Sequence, residues 1–291
     1  MPAHAIVSYF RLLRPEQWIK NLFVLAPVLF AGKLLVPQTV VPSLLAMLTF
    51  CMASSAVYCI NDAADAAADR QHPRKRNRPV ASGAVSRGAA VTFAVALAAA
   101  ALVVAFLLVN ADTAYVLVAY LSVNVAYTFG IKYAPIADIC TIALGFLLRL
   151  CAGALASDCH LSAWIVAVTF LLSLFLALGK RREDMSSMQE DSRRRIYSVK
   201  FIDSAMAVTG AAVIVSYFLY TLTPSPARVI TSELFYLTGI PVTAGILRYI
   251  QICIQSNEGG NHPRLIVRDP VILVSAIVYF VMLAYFLYAV R

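Results

Sequence analysis

Nine stretches of this chain are apolar for long enough to cross a bilayer, and that repetition limits its fold more than any other feature. They lie near residues 19–36, 40–60, 88–109, 112–129, 136–156, 161–179, 204–222, 229–249 and 271–289. A helix needs about 20 mainly apolar residues to cross the hydrocarbon. Lipid offers backbone groups no hydrogen-bond partners, so each run is expected to be helical. The composition agrees: 61% of the 291 residues are hydrophobic and 13% charged, far from the balance of a soluble domain. The expected fold class is all-α: a polytopic membrane protein, one transmembrane domain over residues 1–291, with about nine helices in a bundle. The eighth run is the least regular, because Glu233 and Pro241 interrupt it. The first is preceded by Arg11, Arg14 and Trp18 and is followed by no small-residue cleavage site, so it reads as a retained span.

Charge placement orients such a bundle. With the N-terminus inside, 20 of the 24 Lys and Arg fall on inner segments, namely Arg11 to Lys20, Arg70 to Arg87, Lys132, Lys180 to Lys200, and Arg248, Arg264 and Arg268. Lys33, Arg228 and Arg291 lie outside, and Arg149 lies within the fifth run. This bias predicts a cytoplasmic N-terminus. It also accounts for the net charge of +9 without a nucleic-acid partner. The six cysteines lack metal-ligand spacing and read as small buried residues, while His4, His72, His160 and His262 are too scattered for a zinc site.

The long connections, 61–87, 180–203 and 250–270, all fall on the inner side, which is where chemistry is expected. The first begins with "NDAADAAAD", residues 61–69. Its alanines favour continuation of the second helix, which sets Asn61, Asp62, Asp65 and Asp69 within a sector of about 100°. Like charges on one face repel. A solvated helix end would interleave cations, whereas carboxylates at a membrane edge suit Mg²⁺, which keeps waters and takes up substrate phosphates. Asp62, Asp65 and Asp69 are therefore the expected metal ligands. The following "HPRKRNRPVASG" is stiffened by Pro73 and Pro79, and Lys75 or Arg78 is expected to lie over the metal site and meet phosphate.

The second loop opens with "LGKRREDM", residues 178–185. Lys180, Glu183 and Asp184 share a helix face, and an internal Lys–acid ion pair is as good a reading for Glu183 as a place in the site. Lys20 and Asn21 share a face with Gln17 at the start of the first run. Tyr127 and Lys132 flank the inner end of the fourth, and Asp138 opens the fifth. Arg149, about 16 Å deeper along that helix, is either an interhelical partner or the floor of a cavity.

These motifs together resemble the UbiA-type intramembrane prenyltransferases. "NDAADAAAD" matches their N-D-x-x-D-x-x-x-D motif, and "HPRKRNRPVASG" matches their H-P-x-K-x-x-R-P-x-x-S-G pattern. Charged loops after the second and sixth spans match their architecture, so the resemblance covers essentially the whole chain. It implies a helical bundle around a cytoplasm-facing active-site cavity in a bacterial inner membrane, with Mg²⁺ on the carboxylates. Most of the family carries D-x-x-x-D where "KRRED" stands here, and Lys180 occupies the first acidic position. That departure, with "LRPEQWIKNLFVLAPVLFAGKL", is similar to the branch that transfers phosphoribosyl from 5-phosphoribosyl 1-diphosphate to a decaprenyl-like polyprenyl phosphate. By that resemblance, Asp62, Asp65 and Asp69 hold Mg²⁺ and diphosphate, and Asn61 orients them. Lys180 and Arg181, with Lys75 or Arg78, meet donor phosphate. Lys20, Asn21, Tyr127 and Lys132 contact acceptor phosphate or ribose, and Glu183 or Asp184 joins the metal surroundings or the ribose hydroxyls.

Two rival readings have their own signatures. An aromatic prenyltransferase calls for the full acidic second motif. A transporter calls for internal repeats and ionisable residues at mid-membrane, whereas the acids here sit at the inner edge. The cation distribution also makes a direct prediction: cysteines placed at residues 75, 190 and 260 should be protected from an impermeant thiol reagent applied outside intact cells and should react in inverted vesicles. Labelling from the outer face would contradict the orientation.

Overall fold

The computed structural model describes residues 2–73, 75–186, 197–223, 230, 232–255 and 269–289, with the side chains at 2–5, 184 and 186 outside that description. Among the described residues the chain is helical, without strands. In order come α1 (Pro2–Leu13), a 3-10 helix (Pro15–Leu25), α2 (Ala26–Phe30), α3 (Pro37–Gln71), α4 (Arg87–Leu108) and α5 (Ala111–Phe129). They are followed by α6 (Ala137–Ser157), α7 (Ala163–Ser186), α8 (Val199–Leu222), α9 (Gly239–Gln255) and α10 (Pro270–Tyr288). Among the described residues, seven helical stretches are long and apolar enough to cross a membrane: α3, α4, α6, α7, α8, α10 and Glu233–Gln255, which joins a 3-10 turn to α9. Much of the second and third long loops lies outside the described residues, as do Arg193, Arg264 and Arg268.

Polar caps set several boundaries. Ser86, Asn110 and Ser198 accept from the backbone N–H groups of Ala89, Thr113 and Phe201, and Asp269 accepts from Val271 and Ile272. Each satisfies donors that a helix start leaves without partners. α3 is the dominant element. At 35 residues it is about 52 Å long, well beyond a hydrocarbon layer of about 30 Å. The alanine-rich stretch after Ile60 continues that helix, as its propensity predicts.

The first apolar run departs from expectation. It is not one α-helix but eleven residues of 3-10 helix followed by the short α2. Runs of 3-10 helix beyond three or four residues are uncommon, so the segment must be held from outside. Trp18 Nε1 donates to Ser55 Oγ at 3.1 Å, and Asn21 Nδ2 donates to Cys51 Sγ at 3.2 Å and Ser54 Oγ at 3.3 Å. The tighter winding has a compensation: a rise near 2.0 Å per residue lets the eleven residues cover about 22 Å.

The chain forms two compact units. One comprises Met1–Leu29, Lys33–Lys132 and Leu148–His160, the other Phe30–Gly32, Tyr133–Leu147 and Leu161–Arg291. The first is cored by Phe50, Leu117 and Tyr120 with Ala46, Ala53, Ala101, Ala105 and Ala152, and by a second cluster around Leu12, Ala63, Ala66, Ala90 and Ala94. Small residues along α3 and α4 let the backbones approach, as membrane helices require. The second unit is cored by Ile139, Phe175, Leu178, Ile202, Met206, Val213 and Ile246.

Gly153 on α6 admits the 3-10 segment. A Cβ there would lie 2.7 Å from the Val24 carbonyl carbon and closer still to its oxygen, and backbone cannot rotate away. Gly153→Ala is therefore expected to destabilise the protein by at least about 1–3 kcal/mol, read as a lowered thermal midpoint in detergent. An unchanged midpoint would show that the segment is not packed against α6.

Candidate active site

The C-terminal turns of α3 present Asn61, Asp62, Asp65 and Asp69 on one face, and each carboxylate meets a cation. Arg14 pairs with Asp62 Oδ1 from the start of the 3-10 segment. Arg78 Nη1 reaches Asp69 Oδ2 at 2.7 Å and Asp62 Oδ1 at 3.3 Å. Lys132 Nζ lies 2.7 Å from Asp65 Oδ1, carried by the 3-10 turn Ile131–Tyr133. Thr128 donates its hydroxyl to Asn61 Oδ1. Asp62 is 2% exposed, Asp69 and Lys132 4% each. Three buried or half-buried acids thus meet three cations, which resolves the repulsion the spacing implies.

Local folding explains how the cations arrive. After α3, Arg70 Nε holds the Ala81 carbonyl at 3.1 Å, Ser82 N–H bonds Arg78 O, and Gly83 turns the chain at φ 82°. Pro79, Val80 and Ala81 are buried in that return, which sets Arg78 over the helix face. Of the two expected cations, Arg78 makes these ion pairs, while the Lys75 backbone N–H bonds His72 Nδ1 at 3.3 Å. Arg14 adopts φ 52°, ψ 58°, an uncommon left-handed conformation for a non-glycine residue, immediately before Pro15. Its guanidinium also lies 5.0 Å from the Tyr58 ring centroid. Sequence reasoning counted Arg14 only as an orienting charge, and no local pattern marks a partner 48 residues away.

One oxygen of the cluster stands apart. Asp62 Oδ2 is buried without a hydrogen-bond partner, a costly state for a carboxylate. Hard oxygen donors of this kind suit Mg²⁺, which commonly takes one or two protein carboxylates and completes its shell with water and substrate phosphate. The described residues hold no ready-made group of three His, Cys, Asp or Glu converging on one point. Donors of this kind fit an ion that keeps water and phosphate in its shell.

In the first unit one expectation changes and one open choice is decided. Asn21 is wholly buried, and its amide is engaged with Cys51, Ser54 and Arg149, so the substrate contact expected of it gives way to contacts inside the protein. Arg149 Nε donates to Asn21 Oδ1 at 2.7 Å, its Nη2 donates to Tyr120 OH at 2.9 Å, and the guanidinium lies over the Tyr120 and Phe50 rings. Of its two readings, these contacts make it an interhelical partner. Lys20 and Tyr127 are partly exposed in the same unit.

The second unit carries the other expected residues. Arg181 grips Asp138 Oδ2 through Nε at 3.0 Å and Nη2 at 2.8 Å. Tyr197 donates its hydroxyl to Asp138 Oδ1 and accepts the Ile136 N–H at 2.6 Å. Burial, with the hydrogen bond to Asp138, pushes the Tyr197 hydroxyl up to about 12. Arg182 pairs with Asp203 at 2.8 Å. Lys180 is exposed and Glu183 half-buried, and the Asp184 side chain lies outside the described residues. Tyr197 was not foreseen, because its relation to Asp138 spans 59 residues.

A profile of the UbiA prenyltransferase family matches residues 24–268. The chain belongs to the UbiA prenyltransferase family. It is 33% identical over 287 residues to a decaprenyl-phosphate phosphoribosyltransferase of Corynebacterium glutamicum, covering 96% of this chain and 86% of that protein. A protein of the same description from Mycolicibacterium smegmatis is 33% identical over 286 residues, covering 93% and 89%. Among solved structures, a UbiA homolog from Archaeoglobus fulgidus bound to DMAPP and Mg²⁺ has a TM-score of 0.73 at 19% identity, over 98% of this chain and 100% of that one. At that identity the UbiA fold is what the two share.

In this UbiA family member the Lys132–Asp65 pair is open to a direct check. Lys132→Met should lower stability by about 1–3 kcal/mol, because a buried or half-buried carboxylate loses its cation. Adding Asp65→Asn should restore most of the loss in thermal unfolding. Two simply additive losses would count against the pair.

Proposed function

We propose that this protein transfers the 5-phosphoribosyl group of 5-phosphoribosyl 1-diphosphate to a decaprenyl-like polyprenyl phosphate, at the cytoplasmic face of a bacterial inner membrane and with Mg²⁺. The observation that carries this reading is the pair of relatives, about a third identical along nearly the whole chain, that are described as decaprenyl-phosphate phosphoribosyltransferases. The basic start of the second loop supports it. A donor bearing both a diphosphate and a separate phosphate calls for fixed cations, and Lys180, Arg181 and Arg182 stand together there. The product would be the first lipid-linked precursor of an arabinose donor.

In this reading Asp62, Asp65 and Asp69 hold the metal together with the donor diphosphate, and the unpartnered Asp62 Oδ2 is the natural first ligand. When bound, Mg²⁺ supplies charge neutralisation for the leaving diphosphate. Asn61, fixed by Thr128, orients the neighbouring carboxylate. Arg14, Arg78 and Lys132 lie on the same carboxylates and can turn their remaining N–H groups to phosphate oxygens. Lys75 adds to the local cation field. Lys180 and Arg181 bind the 5-phosphate, with Asp138 holding Arg181 in orientation. Lys20, Tyr127 and Lys132 receive the acceptor phosphate or ribose, and Glu183 or Asp184 the ribose hydroxyls.

Chemically, the bond from ribose C1 to the diphosphate oxygen breaks with its electron pair leaving on diphosphate. A bond from an acceptor phosphate oxygen to C1 forms on the opposite face, with inversion. The acceptor is already an anion, so no strong base is required. Catalysis is then positioning, leaving-group stabilisation and exclusion of water. The acceptor's long chain explains why such chemistry belongs in a membrane.

Membranes carrying the protein, given labelled 5-phosphoribosyl 1-diphosphate and polyprenyl phosphate, should form a phosphoribosyl lipid. EDTA or Asp62→Ala should abolish the product. Prenylated benzoate from geranyl diphosphate and 4-hydroxybenzoate, with no phosphoribosyl lipid, would overturn the assignment. Lys180→Ala should raise KM for the donor by roughly 10- to 150-fold, the equivalent of a charge-assisted contact of about 1.5–3 kcal/mol, and change KM for the lipid far less. Unaltered donor kinetics would remove Lys180 from the site.

A further inference from the structure

Arg149 lies twelve residues, or about 18 Å, along α6 from its start. A guanidinium at that depth is costly and marks function. It is 5% exposed and far from the carboxylate face in sequence. Its hydrogen bonds run along another line: Arg149 Nε donates to Asn21 Oδ1, and Asn21 Nδ2 donates to Cys51 and Ser54 on α3. Asn21 belongs to the eleven-residue 3-10 segment, and the residue that begins that segment is Arg14, the partner of Asp62.

The segment has few reasons of its own to hold this shape. A 3-10 helix of that length is unusual, and Arg14 must stand in the left-handed region before a proline. Such a conformation persists when the surroundings over-determine it. Three contacts do so: Asn21 bridges Arg149 to α3, Trp18 bonds Ser55, and the Ser55 hydroxyl bonds the Leu13 carbonyl at 2.8 Å, directly before Arg14. Tyr120 OH and the faces of Tyr120 and Phe50 fix the guanidinium that anchors this chain.

We propose that Arg149, acting through Asn21, is a positioning residue for the reaction: it locks the 3-10 segment so that Arg14 is presented to Asp62 and to the donor diphosphate. The link to catalysis rests on the phosphoribosyl-transfer reading, while the lock itself does not. Asn21 then serves the site from behind and touches neither substrate.

Trp18 reports on the lock. The chain has two tryptophans, so Trp164→Phe leaves Trp18 as the single tryptophan emitter, excited selectively over the tyrosines at the red edge of the absorption band. In lipid nanodiscs, Arg149→Met should increase acrylamide quenching of Trp18 at least twofold and lower donor kcat/KM at least tenfold. Tyr120→Phe, which removes one bond and keeps the ring, should move both in the same direction by less and guards against a variant that fails to fold. Because the effect passes through Arg14, the Arg14→Met/Arg149→Met double variant should be within about threefold of Arg14→Met alone. Asn21→Asp retains an acceptor for Arg149 and should leave KM for polyprenyl phosphate within about threefold, whereas a direct contact to acceptor phosphate predicts a rise of tenfold or more. Unchanged Trp18 quenching in Arg149→Met and Tyr120→Phe, multiplicative losses in the double variant, or that rise in acceptor KM would each overturn the proposal. Altered quenching in a protein that transfers no phosphoribosyl group would leave the lock standing and remove the assigned reaction.

Discussion

Charge compensation on one helix face is the constraint on which the first unit depends. Asp62, Asp65 and Asp69 share a helix face, and two of them are almost completely buried. At an effective dielectric near 20, two unit charges about 4 Å apart interact by about 4 kcal/mol, so three acids on one face need cations within reach. α3 supplies none of those used. Arg14, Arg78 and Lys132 come from three separate pieces of chain, and each piece bends to deliver its cation. The loop after α3 folds back and buries Pro79 to Ala81, the turn at residues 131–133 buries Lys132, and Arg14 takes a left-handed conformation.

That arrangement is a stabilising network, and in the proposed reaction it is also a poised binding surface. On that reading the cations that hold the carboxylates would also meet the oxygens of the diphosphate, and the buried Asp62 Oδ2, without a hydrogen-bond partner, keeps lone pairs for a hard cation. A site built this way needs little reorganisation to accept a charged ligand, which is the basis of electrostatic preorganisation. The second unit repeats the logic with one acid: Asp138 holds Arg181 and Tyr197.

The 3-10 segment shows how a fold can be shared while its parts are specialised. Family membership sets the succession of helices, and the same fold hosts different donors and acceptors through the residues grafted on it. Gly153 admits the Val24 backbone, and Arg149 and Asn21 supply polar contacts where lipid offers none.

Much of this is legible in the sequence. Length and spacing of the apolar runs specify a helical membrane protein, because hydrocarbon imposes helix on any long apolar segment. The period of the helix alone puts Asn61, Asp62, Asp65 and Asp69 on one face, and alanine propensity carries α3 past Ile60. These properties are local, set within a few turns of chain. Which cation meets which acid was decided only in three dimensions, across separations of 48 residues for Arg14 and 67 for Lys132. So was the fate of Asn21, which spacing grouped with Gln17 and Lys20 on one face and packing turned inward to meet Arg149, 128 residues away. The first span likewise became a 3-10 helix because its winding answers to Ser55, Ser54 and Gly153 on neighbouring helices. Periodicity tells a side chain which way its own helix turns, but its partner is chosen by whichever segment packing brings within hydrogen-bond distance.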